Sequence, residues 1–125
     1  MTASNETERI ARRYFEAWTR RDSETTASLL APDFRFSAGD MQVEGREAFL
    51  SAGAFPQGAE TKLLDEAYQG EVGFQLYEST SGDRSVTIAE RLRVRDGKIV
   101  ESKFVTDMAA FMAFVGQSTS PGDEP

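Results

Sequence analysis

Residues 85–95, SVTIAERLRVR, constrain this chain more than any other stretch. Val86, Ile88, Leu92 and Val94 share one phase of a two-residue repeat, and Thr87, Arg91, Arg93 and Arg95 share the other. Such alternation fits a half-buried strand rather than a helix. Asp96-Gly97 follows, which is the chemistry of a tight hairpin turn, so the strand should pair antiparallel with the next one. The same phase sets Glu90 in the middle of the apolar face. A buried carboxylate without partners is strongly unfavourable, so the pattern predicts a carboxyl that is protonated or hydrogen-bonded. The bland alternatives are a misassigned phase, a β-bulge, or a glutamate at a sheet edge.

The rest of the chain supplies a frame for that strand. Ile10, Ala11, Tyr14, Phe15 and Trp18 recur at helical spacing and predict a helix over 5–21. Asp22 can end it and cap a short second helix over 23–30, stopped by Ala31-Pro32-Asp33. DFRFSAG reads as a strand with Phe34, Phe36 and Ala38 in phase. Gly45 opens a third helix, REAFLSAG, expected to bury Ala48 and Phe49, and AFPQGAE is a loop. Strands follow over 61–69, 72–79, 85–95 and 99–106, with Ser81-Gly82-Asp83 as a further hairpin turn. Residues 108–116 form a short apolar helix, and QSTSPGDEP is expected to be a disordered tail. Helices first and sheet after is an α+β pattern in a single domain over 1–116, with the tail at 117–125. A curved sheet closed by a few helices makes a cone whose interior can hold a ligand.

Composition narrows the chemistry. The 125 residues include no Cys and no His, so disulfides, thiol nucleophiles, Cys/His metal sites and Ser-His pairs are excluded. No phosphate-binding glycine motif occurs, and neither a cofactor nor a metal is expected. The formal net charge of −7 makes nucleic acid a poor partner, and Arg91, Arg93 and Arg95 read as a solvated or dimer-facing stripe. No apolar run approaches the ~20 residues of a membrane span, and MTASNETERI lacks the order of a signal peptide. A cytoplasmic protein is therefore expected. Acid–base chemistry falls to Asp, Glu, Tyr or Lys, and a carboxylate in that role needs an apolar setting to raise its pKa.

Besides Glu90, three residues are candidates. Tyr14 lies on the apolar stripe of the first helix, either as core packing or as a phenol facing a cavity, with Trp18 one turn on. Asp107 stands before the last helix, where it can be an N-cap; if Thr106 caps instead, Asp107 is free to act as a base. The phase of the last strand is ambiguous, because Ile99 and Val105 fall on one parity and Val100 and Phe104 on the other. Asp40, after Gly39, reads first as a turn residue.

RYFEAWTRRD, LLAPDFRFSAG, VEGREAF and RVRDGKIVESKFVTD together resemble the nuclear transport factor 2-like superfamily, and most closely its SnoaL-like branch of polyketide cyclases beside the ketosteroid isomerases. The resemblance spans about residues 5–116 and implies a cone-shaped α+β barrel, with helices packed on a curved antiparallel or mixed sheet around a pocket. It sets Tyr14 at the oxyanion-hole tyrosine and Glu90 at the protonated acid beside it. It sets Ala38 at the steroid isomerases' base position and Asp107 at the aspartate that serves SnoaL-like cyclases as base. It also implies a homodimer through the outer sheet face, near Val100, Phe104 and the arginine stripe.

The expected function is a cofactor-independent isomerase or cyclase. Asp107 would abstract a proton next to a carbonyl, and Tyr14 and Glu90 would hold the enolate oxygen. Trp18, Phe34, Phe36, Phe49, Phe55 and Leu92 would shape an apolar pocket for a cyclic or carbonyl-containing molecule. A non-catalytic ligand-binding or dimerisation domain is the alternative. A hydrolase in which Asp107 and Glu90 share one water is the third.

Overall fold

The computed structural model describes residues 3–52 and 58–116. The elements in chain order are α1 (Ala3–Thr19), α2 (Ser23–Leu29), β1 (Leu30–Ala38), β2 (Met41–Glu44), α3 (Arg46–Ser51), β3 (Glu60–Gln69), β4 (Val72–Ser81), β5 (Arg84–Arg95), β6 (Lys98–Thr106) and α4 (Met108–Gly116). The strands form one six-stranded mixed sheet in the order β2-β1-β6-β5-β4-β3, open at both edges. Only the β1–β6 pair is parallel. The α+β architecture is the one expected. No helix among the described residues is long and apolar enough to cross a membrane.

Local chemistry explains the joints. α1 buries Ile10, Ala11, Tyr14 and Ala17 along one stripe. Its first turns are tied to the β3–β4 turn, where Thr7 Oγ1 donates to the Gly70 carbonyl and the Gly70 N–H donates to Ser4 Oγ, both at 2.7 Å. Asp22 caps α2, its carboxylate accepting from the Thr25 N–H at 3.1 Å. Asp96 and Gly97 both take positive φ, which the tight β5–β6 turn requires.

Two aromatic-rich clusters fill the space between helices and sheet. One joins Ile10, Tyr14, Phe34, Phe36, Leu92 and Ile99, and the other joins Tyr77, Val86, Ile88, Phe111 and Phe114. Trp18, Phe104 and Met108 pack against both.

Several expectations are corrected. MQVE, residues 41–44, is a strand that alternation did not reveal, because four residues are too few to show a period. Gly39 and Asp40 are the two-residue turn before it. An added Cβ on Gly39 would lie 2.9 Å from Met108 Cγ, so that turn also reserves room for α4. β1 begins at Leu30, before the expected Pro32 stop, and its irregular register against β6 between Leu30 and Arg35 accommodates the proline. Ala48 is exposed and Phe49 only half-buried, because six residues of α3 on the sheet edge bury no side chain completely. The ambiguous phase of β6 has a physical cause. Val94 pairs with Ile99 but Arg93 pairs with Glu101, leaving Val100 as a bulge. That extra residue lets Ile99 and Ser102 both point inward. The tail at 117–125 and most of the AFPQGAE loop, including Phe55, lie outside the described residues.

Candidate functional site

The alternation of β5 holds through its centre, so Glu90 enters the core with only 1% of its surface exposed. Its neighbours meet it there. Tyr77 from β4 donates its phenol hydrogen to Glu90 Oε1 at 2.9 Å. Ser102 from β6 donates to Glu90 Oε2 at 2.5 Å. Burial pushes the Glu90 carboxyl up to about 7, and the hydrogen bonds from Ser102 and then Tyr77 restrain the rise. The carboxyl therefore holds its proton to a much higher pH than an exposed glutamate does. A carboxylate has about four lone-pair sites, so two hydroxyl donors leave each oxygen with capacity to spare.

Aromatic rings enclose the group. Tyr77 lies 5.3 Å from Trp18, 5.6 Å from Phe15 and 6.4 Å from Phe104 between ring centroids. Tyr14 is buried on the facing helix, where burial and then the charge of Glu90 hold its phenol well above the usual range. Burial does the same to Tyr77, followed by the charge of Glu90. Both phenols stay protonated. The hydroxyl that bonds Glu90 is that of Tyr77, whereas the resemblance had set Tyr14 beside it.

Asp107 stands apart from this group. It is exposed, and its carboxylate accepts from the Ala110 N–H at 3.1 Å at the start of α4. The expectation that Thr106 caps and frees Asp107 is corrected: Thr106 Oγ1 instead donates to the Thr87 carbonyl at 2.6 Å, which commits it to the β5–β6 pair. Asp40 is an exposed turn residue. Of the expected wall residues, Phe34 and Leu92 are wholly buried as core, and Phe36 nearly so. Trp18 and Phe49 pack against the same cluster. A polar groove of about 100 Å³ at β1, β2 and β6 is bordered by Arg35, Phe36, Gln42, Glu44 and Glu101. Phe36 alone connects it with the expected pocket wall. Among the described residues no group of three or more Asp or Glu side chains is arranged to hold a metal ion.

Tyr77, Ser102 and Gln75 went unrecognised in the sequence. Period-two reading of VGFQLYES favours Phe74 and Leu76 as core, yet Phe74 is 48% exposed while Gln75, Tyr77 and Ser79 are fully buried. The signal was present in the turn. Counting outward from Gly82-Asp83 sets Gln75 directly opposite Glu90, and that is the observed register.

The model of the SnoaL-like domain matches residues 11–102. Among solved structures, a candidate ketosteroid isomerase from Kribbella flavida superposes with a TM-score of 0.79 at 23% identity, over 86% of this chain and 82% of that one. A candidate SnoaL-like polyketide cyclase from a Jannaschia species gives a TM-score of 0.79 at 19% identity, over 97% of both chains. An NTF2-like protein of unknown function from Cytophaga hutchinsonii gives 0.75 at 12% identity, over 85% of this chain and 94% of that one. No curated protein matches the chain. Identities this low establish the fold and leave the activity to the site. By the match over most of its length, the chain belongs to the SnoaL-like domain family.

Proposed function

We propose that this protein is a cofactor-independent isomerase or cyclase of small carbonyl compounds in which Glu90 moves the proton. The observation that carries the reading is Glu90 itself, a buried carboxyl raised to about 7 among aromatic rings and bonded by two hydroxyls. A proton-transfer group works best when its pKa lies near the working pH. The carboxylate takes a proton from carbon next to a carbonyl, breaking the C–H bond and leaving an enolate. The carboxylic acid returns that proton at another carbon in an isomerisation, or to the new alkoxide when the enolate closes a ring onto a second carbonyl. Tyr14, which remains protonated, donates to the enolate oxygen, while Tyr77 keeps its hydrogen on Glu90. Asp107, engaged as a helix cap, is not required.

Deuterium exchange tests this without knowledge of the substrate. Cyclic and open-chain ketones are incubated with the protein in heavy water, and loss of the C–H signal next to the carbonyl is followed by proton NMR. Exchange by wild type that falls about 10²-fold or more in Glu90→Gln supports the reading. Equal exchange in both, or none with any ketone, transfers the lead to a non-catalytic binding domain. One observation favours that second reading: both Glu90 oxygens are already bonded within the protein.

A homodimer through the outer sheet face belongs to the same proposal. Phe74 and Val105 are 48% and 59% exposed there, and they flank the cluster of Arg35, Arg91 and Arg93 around Glu101. Sedimentation at several concentrations should give twice the chain mass, and a monomer at high concentration removes the dimer.

A further inference from the structure

Gln75 is wholly buried on the inner face of β4, and its amide is fixed in one orientation. The nitrogen donates to the Ala11 carbonyl at 3.2 Å and to the Tyr68 hydroxyl at 3.1 Å. A carbonyl only accepts, and the Tyr68 hydroxyl hydrogen is committed to Glu66 at 2.8 Å, so both contacts demand an N–H and a flipped amide would lose them. The side-chain oxygen is therefore left over, and it has no hydrogen-bond partner among the described residues. Buried acceptors are almost always paired, so an orphan calls for an explanation.

Its position supplies one. Gln75 is the cross-strand partner of Glu90, and such pairs on one face hold their Cβ atoms about 5 Å apart. Ala11, which holds the amide nitrogen, lies one helical turn before Tyr14 on α1. A second polar anchor thus lies next to the proton-transfer group and differs from it in kind. Tyr14 has a phenol hydrogen to offer a ligand oxygen and Tyr77 has committed its own to Glu90, whereas Gln75 Oε1 carries no hydrogen and can only accept one.

We propose that Gln75 is a ligand-binding residue whose side-chain oxygen accepts a hydrogen bond from a hydroxyl or N–H carried by the substrate. This rests on the reading of Glu90 as the site of chemistry, and it narrows the substrate to a carbonyl compound that also bears a donor, such as a hydroxyketone. A simple hydrocarbon ketone would leave the amide oxygen unpaired and bind more weakly.

The test compares 3-hydroxyacetophenone with 3-methoxyacetophenone, which differ in the donor. Binding is followed by NMR on the full chain. Wild type should prefer the hydroxy compound by about three- to tenfold, the worth of one such hydrogen bond. Gln75→Met should bring the ratio close to one, while Tyr68→Phe, which leaves the amide oxygen in place, should keep it. If Gln75→Met does not fold, the wild-type protein still decides the matter: the Gln75 side-chain amide nitrogen resonance should move with the hydroxy compound and not with the methoxy one. No preference in wild type, a preference that survives in Gln75→Met, or no binding of either compound at millimolar concentration overturns the proposal. A preference present in wild type together with no loss of deuterium exchange in Glu90→Gln would leave Gln75 standing and remove Glu90 as the proton-transfer group.

Discussion

β5 carries two opposite solutions to the placement of a glutamate. On its inner face Glu90 is enclosed by rings and held by two neutral hydroxyls. On its outer face Arg91 and Arg93 reach across to Glu101 of β6 at 3.4 and 3.7 Å, and Arg35 of β1 approaches the same carboxylate at 3.9 Å. The inner carboxyl lacks a counter-charge, and burial raises its pKa. The outer one has three guanidinium groups and access to water. The inner arrangement responds to pH near neutrality, whereas the outer one responds to salt and to whatever covers the sheet.

The comparison breaks first under truncation. Glu90→Ala removes the partner of two buried hydroxyls and leaves a cavity, and should lower stability by about 3–5 kcal/mol in a denaturant titration. Glu101→Ala leaves only partly exposed arginines and should cost about 1 kcal/mol or less. Similar losses at the two sites would mean that Glu90 is not enclosed as described.

The next effect is the pH dependence. The unfolded chain releases the Glu90 proton near 4.5, and the folded chain keeps it to about 7. Between those values the folded state binds more protons, so the stabilisation from neutral Glu90 is full below about 4.5 and is lost as pH rises through about 7. The difference amounts to roughly 3 kcal/mol. Measured against Glu90→Gln, wild type should lose stability across that window and run parallel above it. A constant difference would show an ordinary carboxylate.

Smaller changes sharpen the inner site. Ser102→Ala and Tyr77→Phe should each lower stability by about 1 kcal/mol. Each should also raise the Glu90 pKa further, Ser102→Ala more than Tyr77→Phe, in a carboxyl carbon-13 titration. The smallest effect belongs outside. Raising salt from 0.1 to 1 M should change stability by a few tenths of a kcal/mol, and Glu101→Gln should remove most of that change.

Much of this was legible in the sequence because it depends on period and turn chemistry. The strict alternation of β5 carried Glu90 inward, and Asp96-Gly97 turned the chain as expected. What escaped depends on register and counting. Val100 bulges out, a one-residue event with no signature of its own, and it makes Ser102 an inward residue. β4 buries Gln75, Tyr77 and Ser79 because pairing with β5 overrides its own apolar phase. Asp107 offered two roles of equal chemical merit, and only the position of the Ala110 N–H distinguished the cap.

The middle of the sheet joins distant parts of the chain. β1, the first strand, lies beside β6, the last, and Phe36 pairs with Ser102 across that seam. The β3–β6 meander can assemble from neighbours as it leaves the ribosome, but the β1–β2 hairpin must wait for β6 before it gains a second partner. Long-range closure of this kind slows folding relative to a helical bundle. Until β6 arrives, Phe34 and Phe36 have no finished core to enter, so the N-terminal half is the part of the nascent protein with most need of a chaperone.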